Sequence, residues 1–268
     1  MRPTPVVEVV YLGEDKSEQT GRALRRIIEH MFTGIRPTLN LGRVKFTPST
    51  AEERRALHGN AWEGKGAAHA ITLCRSIATR LLEPLVDGVP RFVLFHYDGD
   101  EVWSKRHESD RHEKFDRLVR VQVKRNLLAR AAGHTVHPKG YEPSQSLAPF
   151  GPEKVDLFLG RIVEIVPFYC IETWLYHNFK VAKAKCREHC GGRHVVDIES
   201  WEANSPTLDE VDSPKEKLCF QDRCNADLAG AGFPVDDLYC AGTSFYETFE
   251  RLRQNADLVE ALERTERS

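Results

Sequence analysis

Residues 6–32, VVEVVYLGEDKSEQTGRALRRIIEHMF, contain the pattern that predicts the fold class. The nearly continuous apolar and β-branched run of residues 6–12 ends at Gly13, which is typical of a strand buried on both faces of a parallel sheet. In residues 18–32 apolar side chains recur at helical spacing and predict an amphipathic helix. The chain therefore begins as a strand, a tight turn and a helix, which is the opening unit of an α/β fold.

The same alternation continues along the chain. Two more buried strands are predicted at residues 92–95 and 162–166. Further helices are predicted at residues 66–82, 114–130, 154–159 and 171–181. Residues 33–65 have a mixed composition that predicts no clear order of elements. Alternating strands and helices predict an α/β fold with a central, mostly parallel sheet flanked by helices.

The length of 268 residues indicates one large domain that carries an insert, at a soft prior of about 150 residues per domain. Residues 1–182 are predicted to form the α/β domain, with an insertion at about residues 33–65. Residues 183–241 hold five of the seven cysteines and little periodicity, so we predict a loop-rich, cysteine-rich insert there. Residues 242–268 are predicted to be C-terminal helices that pack on the α/β domain.

The composition is that of a globular chain, with 41% hydrophobic and 29% charged residues. The richest apolar stretch, residues 157–175, is interrupted by charged residues and a proline, so no membrane span is expected. The first 15 residues lack the apolar core of a signal peptide. Seven cysteines are an odd number in a long chain, which argues against a disulfide framework and predicts a cytoplasmic protein.

Acidic side chains follow each of the predicted strands. Glu14 follows the first, Asp98 and Asp100 flank Gly99 after the second, and Glu172 begins the helix after the third. Because the carboxyl ends of parallel strands meet at one edge, we expect these carboxylates to lie close together. Such a cluster needs a cation, and Mg²⁺ prefers a few carboxylates with waters and phosphates. The four acids therefore predict a site for Mg²⁺ or Mn²⁺.

Each acid also has a simpler interpretation. Glu14 fits a solvated turn, and residues 98–100 fit an Asx turn. Glu172 and Glu18 both fall in the first turn of a predicted helix, where the helix dipole favours a negative charge. Ser17 would cap the helix that Glu18 begins.

Together these motifs resemble the TOPRIM family. Glu14, Ser17 and Glu18 after one strand and the DGD motif of residues 98–100 after another are similar to the pattern shared by topoisomerases, bacterial primases and OLD-family nucleases. IETWL at residues 171–175 is similar to a stretch of small TOPRIM-like proteins, many of them linked to phage defence. The resemblance covers roughly residues 6–180, with residues 244–252 as a further candidate part.

The resemblance implies a TOPRIM-like Rossmannoid fold and a function for each motif. Glu14 would be the general acid/base, and Asp98 and Asp100 would bind Mg²⁺; Glu18 and Glu172 are added as candidate catalytic residues. Asp15 stands where the family has a glycine. The interval from Glu14 to Asp98 is also longer than in minimal family members, which implies the insertion at about residues 33–65.

A run of basic residues follows the DGD motif although the net charge is only −2. The candidates for contact with a nucleic-acid backbone are Lys105, Arg106, Arg111, Lys114 and Arg117. A solvated helix face is the alternative interpretation. Nearby histidines, including His112, are interpreted as polar surface.

Two pairs of cysteines predict a structural Zn²⁺ site. They are Cys186 with Cys190 and Cys219 with Cys224, about thirty residues apart. His189 and His194 are competing ligands, and free thiols in a small apolar subdomain are the alternative.

The leading functional hypothesis is a Mg²⁺-dependent TOPRIM-like nuclease that hydrolyses phosphodiester bonds of DNA or RNA, as the effector of a bacterial anti-phage defence system. The sequence has no Walker A motif, so an ATPase that gates the activity would be a separate partner. The alternatives are a non-catalytic TOPRIM-shaped subunit that binds nucleic acid or a partner, and a primase-like nucleotidyl transferase.

Overall fold

The computed structural model describes residues 5–13, 17–58, 67–134, 150–204 and 207–266. Its centre is a four-stranded sheet in which every pairing is parallel and the strand order is β2-β1-β3-β4. The strands are β1 (Val7–Gly13), β2 (Val44–Pro48), β3 (Arg91–His96) and β4 (Ile162–Ile165). The predicted α/β class and the three predicted strands are therefore confirmed, and β2 is an additional strand.

The sheet is buried on both faces because side chains alternate along its central strands. Val9 and Leu94 belong to one apolar core, whereas Val10 and Val93 belong to the other. This two-sided burial is the reason why β1 and β3 read as nearly continuous apolar runs in the sequence.

Strand β2 lies at the edge of the sheet and pairs with β1 in parallel, with Val44 opposite Val7. Its one buried side chain is Val44, and the exposed Lys45 pairs with Glu8 at 3.0 Å. Thr47 donates a 2.5 Å hydrogen bond to the buried Glu8 of β1. The sequence did not predict this strand because five residues with one buried position carry too little periodicity.

Helices cover both faces of the sheet, with short 3₁₀ turns between them. In chain order the helices of the described residues are α1 (Glu18–Ile35), α2 (Ala51–His58), α3 (Ala67–Leu82), α4 (Pro84–Asp87), α5 (Arg111–Phe115), α6 (Val121–Ala131), α7 (Val155–Gly160), α8 (Ile171–Leu175), α9 (Phe179–Cys190), α10 (Val195–Ala203), α11 (Pro214–Lys217), α12 (Asn225–Leu228), α13 (Val235–Cys240), α14 (Ser244–Arg253) and α15 (Ala256–Glu263). Helices α1, α8 and α14 pack in one core, and α3, α6 and α7 in the other.

Two predicted helices are interrupted in the structure. The basic helix predicted at residues 114–130 consists of α5 and α6, joined by one π-helical turn at Asp116–Arg120. The helix predicted at residues 171–181 is divided into α8 and α9. Asn178 leaves the helical conformation between them and donates a 2.9 Å hydrogen bond from its side chain to the Leu228 carbonyl.

Residues 183–241 differ from the loop-rich segment that the sequence predicted. They contain helices α9–α13, and their buried side chains, among them Ile198 and Phe220, belong to the same core as β1 and α1. Arg26 of α1 donates a hydrogen bond to the Ala226 carbonyl. The prediction of an irregular segment is therefore wrong, because each short helix buries only one or two apolar residues and leaves no sustained period.

Helices α14 and α15, predicted from the apolar spacing of residues 242–268, contribute Phe245 and Leu258 to this core. Among the described residues, no helix combines the length and the apolar character that crossing a membrane requires.

Candidate functional site

A crevice of about 580 Å³ opens at the carboxyl ends of β1 and β3. We call it the edge crevice; Gly13 and His96 line it from the strand ends, Ser49 lines it after β2, and the first turns of α1 supply Ser17 and Thr20. The chain passes from β1 to β2 on one side and then crosses to β3 on the other. The crevice thus lies at the switch point of the sheet, where open parallel sheets bind ligands.

Glu14, the predicted general acid/base, lies outside the described residues. Its neighbour in the chain, Gly13, lines the edge crevice. Glu18 also lines the crevice, but its side chain is 79% exposed and pairs with Arg22 at 2.6 Å. Ser17 caps α1 by accepting a 3.5 Å hydrogen bond from the Thr20 N–H. These contacts are those of the helix-start interpretation of Glu18.

The loop that carries the DGD motif packs against the loop that follows β4. The Gly99 N–H donates to the Pro167 carbonyl at 2.9 Å, and the Asp100 N–H donates to the Tyr169 carbonyl at 3.1 Å. The Ile171 N–H, at the start of α8, donates to Asp98 Oδ1 at 3.1 Å. Three hydrogen bonds therefore hold the two motif-bearing loops side by side.

Gly99 is required at the centre of the motif by this close packing. A Cβ atom at Gly99 would lie 2.8 Å from the Phe168 ring, closer than real Cβ contacts come. Asp100 has a φ of 58°, in the left-handed region that aspartate tolerates better than most residues. The two carboxylates thus leave the loop from different backbone conformations.

Asp98 and Asp100 have different surroundings. The side chain of Asp98 is 16% exposed, and its Oδ1 lies 3.4 Å from His96 Nε2. The side chain of Asp100 is 55% exposed and accepts an ion pair from Arg111 at 2.5 Å. Both offer the hard oxygen ligands that Mg²⁺ prefers, so the donor chemistry fits that ion.

Glu172 does not line the edge crevice and is only 2% exposed. Its Oε1 accepts a 2.7 Å hydrogen bond from Asn225 Nδ2, which also lies 3.2 Å from Thr20 Oγ1 of α1. Burial, together with the charges of Glu172 and Asp98, raises the pKa of the neighbouring Cys170 thiol well above its usual value. Glu172 therefore connects α8, α12 and α1.

Three of the four acids expected to form a cluster, Asp98, Asp100 and Glu172, belong to the described residues, and Glu14 does not. The described residues contain two groups of three potential metal ligands. Within each group the ligand atoms lie within 4.8 Å of one another. Neither contains Asp98, Asp100 or Glu172. The structure therefore does not bring these three acids together as one tight ligand set.

The predicted basic residues separate into two sets. Arg106 and Arg111 line a second pocket of about 240 Å³, whereas Lys114 pairs with Asp110 at 2.9 Å, and Lys105 and Arg117 are exposed. Arg106 lies over the Trp103 ring, with its guanidinium carbon 4.4 Å from the ring centre.

This second pocket, the arginine pocket, is lined by residues from three parts of the chain. Arg106 and Arg111 follow the DGD motif, Phe168 follows β4, and Arg251 belongs to α14. Arg111 connects the arginine pocket to the DGD motif, because it lines the pocket and pairs with Asp100.

A buried polar network at the arginine pocket was not predicted. Glu164 of β4 is 3% exposed at its side chain and accepts hydrogen bonds from Tyr97 at 2.5 Å, from Arg120 at 2.9 Å and from His112 Nδ1 at 2.8 Å. Burial alone would raise the pKa of Glu164, but the His112 and Tyr97 hydrogen bonds and the charges of His112 and Arg251 lower it to about 2. The signal in the sequence was a single glutamate within an apolar strand.

His112 is the exposed member of this network, although the sequence suggested only polar surface. Its side chain is 65% exposed, and the hydrogen bond to Glu164 raises its pKa, against the effect of partial burial. Asp116 raises the same pKa, and Arg251 lowers it. His112, Asp116 and Glu164 form one of the two groups of potential metal ligands, but Arg120 and Tyr97 already bind Glu164.

Three of the four predicted zinc ligands come together. Cys186 and Cys190 lie one turn apart on α9, and both have their sulfurs within 4.8 Å of the Cys219 sulfur. Cys224 is outside this group, and the backbone N–H of His194 donates to Cys186 Sγ at 3.3 Å. The structure joins Cys190 to Cys219 as a disulfide, with Cα atoms 6.3 Å apart. Free thiols, the alternative interpretation of this segment, are therefore not what the structure shows at Cys190 and Cys219, which both pack against the core that contains β1 and α1.

Comparison of the chain with protein families, with curated proteins and with solved structures found no match.

Proposed function

We propose that this protein is a Mg²⁺- or Mn²⁺-dependent nuclease with a TOPRIM-like fold, which hydrolyses phosphodiester bonds of DNA or RNA. The observation that supports the proposal most directly is the position of the edge crevice. It opens at the carboxyl ends of β1, β2 and β3, at the switch point of a parallel sheet, and the DGD motif follows β3 after one residue, Tyr97.

Each acidic residue of the site has a separate function in the proposed reaction. Asp98 and Asp100, with Glu14, would hold the metal through carboxylate oxygens. A bound Mg²⁺ supplies stabilisation of the negative charge that develops on the attacking and leaving oxygens. Glu14 would accept the proton of the attacking water. Glu172, which contacts Asn225, would position α8 and α1 around the crevice.

The resemblance to small TOPRIM-like proteins, many of them linked to phage defence, supports a proposal about the biological role. We propose that the nuclease is the effector of a bacterial anti-phage system and that any nucleotide gating comes from a separate ATPase partner. A non-catalytic binding subunit and a primase-like transferase remain the alternatives, and the assays below separate them.

Replacing Glu14 with glutamine tests the proposed reaction. Wild-type protein with Mg²⁺ or Mn²⁺ should cleave DNA or RNA oligonucleotides, and EDTA should abolish the cleavage. Glu14→Gln should slow it by about 100-fold or more, because general acid/base groups contribute about 10²–10⁴-fold. Single-turnover cleavage at protein excess is the measurement, with Glu29→Gln on α1 as the control.

Two other results would contradict the nuclease proposal. Oligonucleotide binding without cleavage under every metal condition would favour the binding subunit. Incorporation of nucleotides on a template would favour the primase-like transferase.

We also propose that the reduced protein holds a structural Zn²⁺ at Cys186, Cys190 and Cys219, because thiolates at this separation suit that ion. Protein purified with a reductant should contain about one zinc per chain by elemental analysis. Cys186→Ser and Cys219→Ser should lose the metal and lower the melting temperature, because a structural zinc contributes folding free energy. Cys240→Ser, at an exposed cysteine outside the group, is the control.

Counting thiols under denaturing conditions separates zinc from the disulfide. A zinc-bound chain releases seven thiols after chelation, the full cysteine content. The disulfide form releases the five that the structure shows as free. Five thiols in a stable, metal-free protein prepared with a reductant would contradict the zinc proposal.

A further inference from the structure

We propose that the arginine pocket binds a phosphate group of the nucleic-acid strand, next to the phosphate that reacts at the edge crevice. This inference rests on the proposed nuclease function, since it assigns the pocket to the same substrate strand. It adds Arg251 and His112, which lie far from each other in the sequence, to the substrate-binding surface.

Positive charge converges in the arginine pocket. Three guanidinium groups line a pocket of about 240 Å³, and they come from the 3₁₀ turn Trp103–Glu108, the start of α5 and the last turn of α14. Guanidinium groups present several N–H donors in a fixed plane and match the oxygens of a phosphate. The acid among the lining residues is Glu247, and Asp100 pairs with Arg111 from outside the lining, so the excess positive charge comes from Arg106 and Arg251.

The cations of the arginine pocket are held in place by the protein. Arg251 Nη1 donates to the Glu164 carbonyl at 3.1 Å, and Arg106 is stacked on Trp103. Arg111 is 9% exposed and is fixed by Asp100. Groups that are already ordered lose less conformational entropy when a ligand binds.

His112 adds charge to the arginine pocket. The groups that face it are Glu164 from β4, Tyr97 after β3, Asp116 from its own helix segment and Arg251 from α14. Glu164 is itself bound by Arg120. The balance keeps the pKa of His112 above its usual value, so its imidazolium form persists to higher pH than in an unperturbed histidine.

The arginine pocket is connected to the proposed metal site. Arg111 contacts Asp100, and Ser109 Oγ donates to the Gly99 carbonyl at 2.7 Å. The arginine pocket therefore adjoins the DGD loop itself. Asp98 of the same loop lies 3.4 Å from His96, which lines the edge crevice, so a strand that runs from the crevice along the DGD loop would reach this pocket.

Binding of oligonucleotides in EDTA tests the inference without requiring catalysis. Fluorescence anisotropy is measured with single-stranded DNA and RNA at several salt concentrations. Arg251→Gln should weaken binding several-fold and reduce the slope of log K against log salt by about 0.7, the value expected for one phosphate contact on a single strand. Arg253→Gln, on the same helix but paired with Glu250, should leave both unchanged.

Two further variants keep the test valid if Arg251→Gln unfolds. Arg251→Lys should restore most of the salt slope, and Arg106→Gln, at an exposed side chain, should lower the affinity in the same way. Melting temperatures measured in parallel identify any variant that fails to fold.

A pH series tests the contribution of His112. Wild-type affinity should fall as the pH rises through the raised pKa of His112, because the imidazolium loses its charge. His112→Gln should lose this pH dependence, whereas His107→Gln, at an exposed histidine outside the pocket lining, should retain it. An unchanged pH dependence in His112→Gln would overturn the assignment of His112.

The outcomes for the pocket and for the nuclease are distinguishable. Cleavage by wild type together with unchanged oligonucleotide affinity in Arg251→Gln and Arg106→Gln would overturn the pocket and leave the nuclease proposal standing. Weakened binding in these variants without any cleavage by wild type would support the pocket and contradict the nuclease. A third outcome would overturn the assignment to a nucleic-acid strand: wild type binds inorganic phosphate, but both variants bind oligonucleotides with unchanged affinity.

Discussion

Asp98→Asn should reduce Mg²⁺-dependent cleavage by about 100-fold or more, since the electrostatic contribution of a catalytic metal is several kcal/mol. Asparagine has nearly the shape of aspartate and retains the oxygen that accepts the hydrogen bond from the Ile171 N–H. The substitution therefore removes the negative charge at the proposed metal site without removing the contact that joins the DGD loop to α8. Single-turnover cleavage of labelled DNA and RNA measures the effect.

Asp110→Asn is a matched control in the same segment of the chain between β3 and α5. Asp110 pairs with Lys114 on the surface and its side chain is 61% exposed. Cleavage by this variant should equal that of wild type. Undiminished cleavage by Asp98→Asn, with a normal melting temperature, would remove Asp98 from the metal site and contradict the proposed mechanism.

Trp174→Ala should lower the free energy of unfolding by about 3–5 kcal/mol, the cost of truncating a buried aromatic side chain. Trp174 is fully buried, and its Nε1–H donates to Ser244 Oγ at 2.7 Å. Its ring packs edge-on against Phe245, with centroids 5.2 Å apart. The substitution opens a cavity between α8 and α14, and denaturant unfolding measures the loss.

Trp174→Phe separates packing from hydrogen bonding at this position. Phenylalanine retains an aromatic ring against Phe245 but cannot donate to Ser244, so the expected cost falls to about 1–2 kcal/mol. Equal losses in both variants would show that the hydrogen bond to Ser244, rather than the volume of the ring, stabilises the α8–α14 contact.

The central strands could be predicted because burial on two faces leaves a strong record in the sequence. Residues 6–12 and 92–95 are almost wholly apolar, and β1 and β3 lie at the centre of the sheet. The parallel arrangement followed from the intervening helices. The adjacency of the DGD loop and the start of α8 followed in turn, because both come after the carboxyl ends of strands.

Other elements could not be predicted because their stability comes from distant partners. Strand β2 buries one side chain, and its place depends on pairing with β1. The helices of residues 183–241 are short, and each is stabilised by packing on α1 and its neighbours rather than by its own period.

The polar network of the arginine pocket shows a further limit of sequence reasoning. Glu164, His112 and Tyr97 are separated by up to 67 residues, and nothing in their local patterns indicates that they meet. Only the packing of α5 against the end of the sheet brings them together. The compensation of the buried Glu164 charge by His112 and Tyr97 is therefore a property of tertiary structure.

The contacts between α1 and α12 also bear on how the chain folds during synthesis. Arg26 and His30 bind carbonyl groups of Ala226 and Ala229, residues that follow them by 200 and 199 positions. At about 5–20 residues per second, a ribosome needs about 10–40 s to produce the intervening chain. The part of α1 that α12 and the following residues cover therefore has no partner from this segment until those residues have been synthesised.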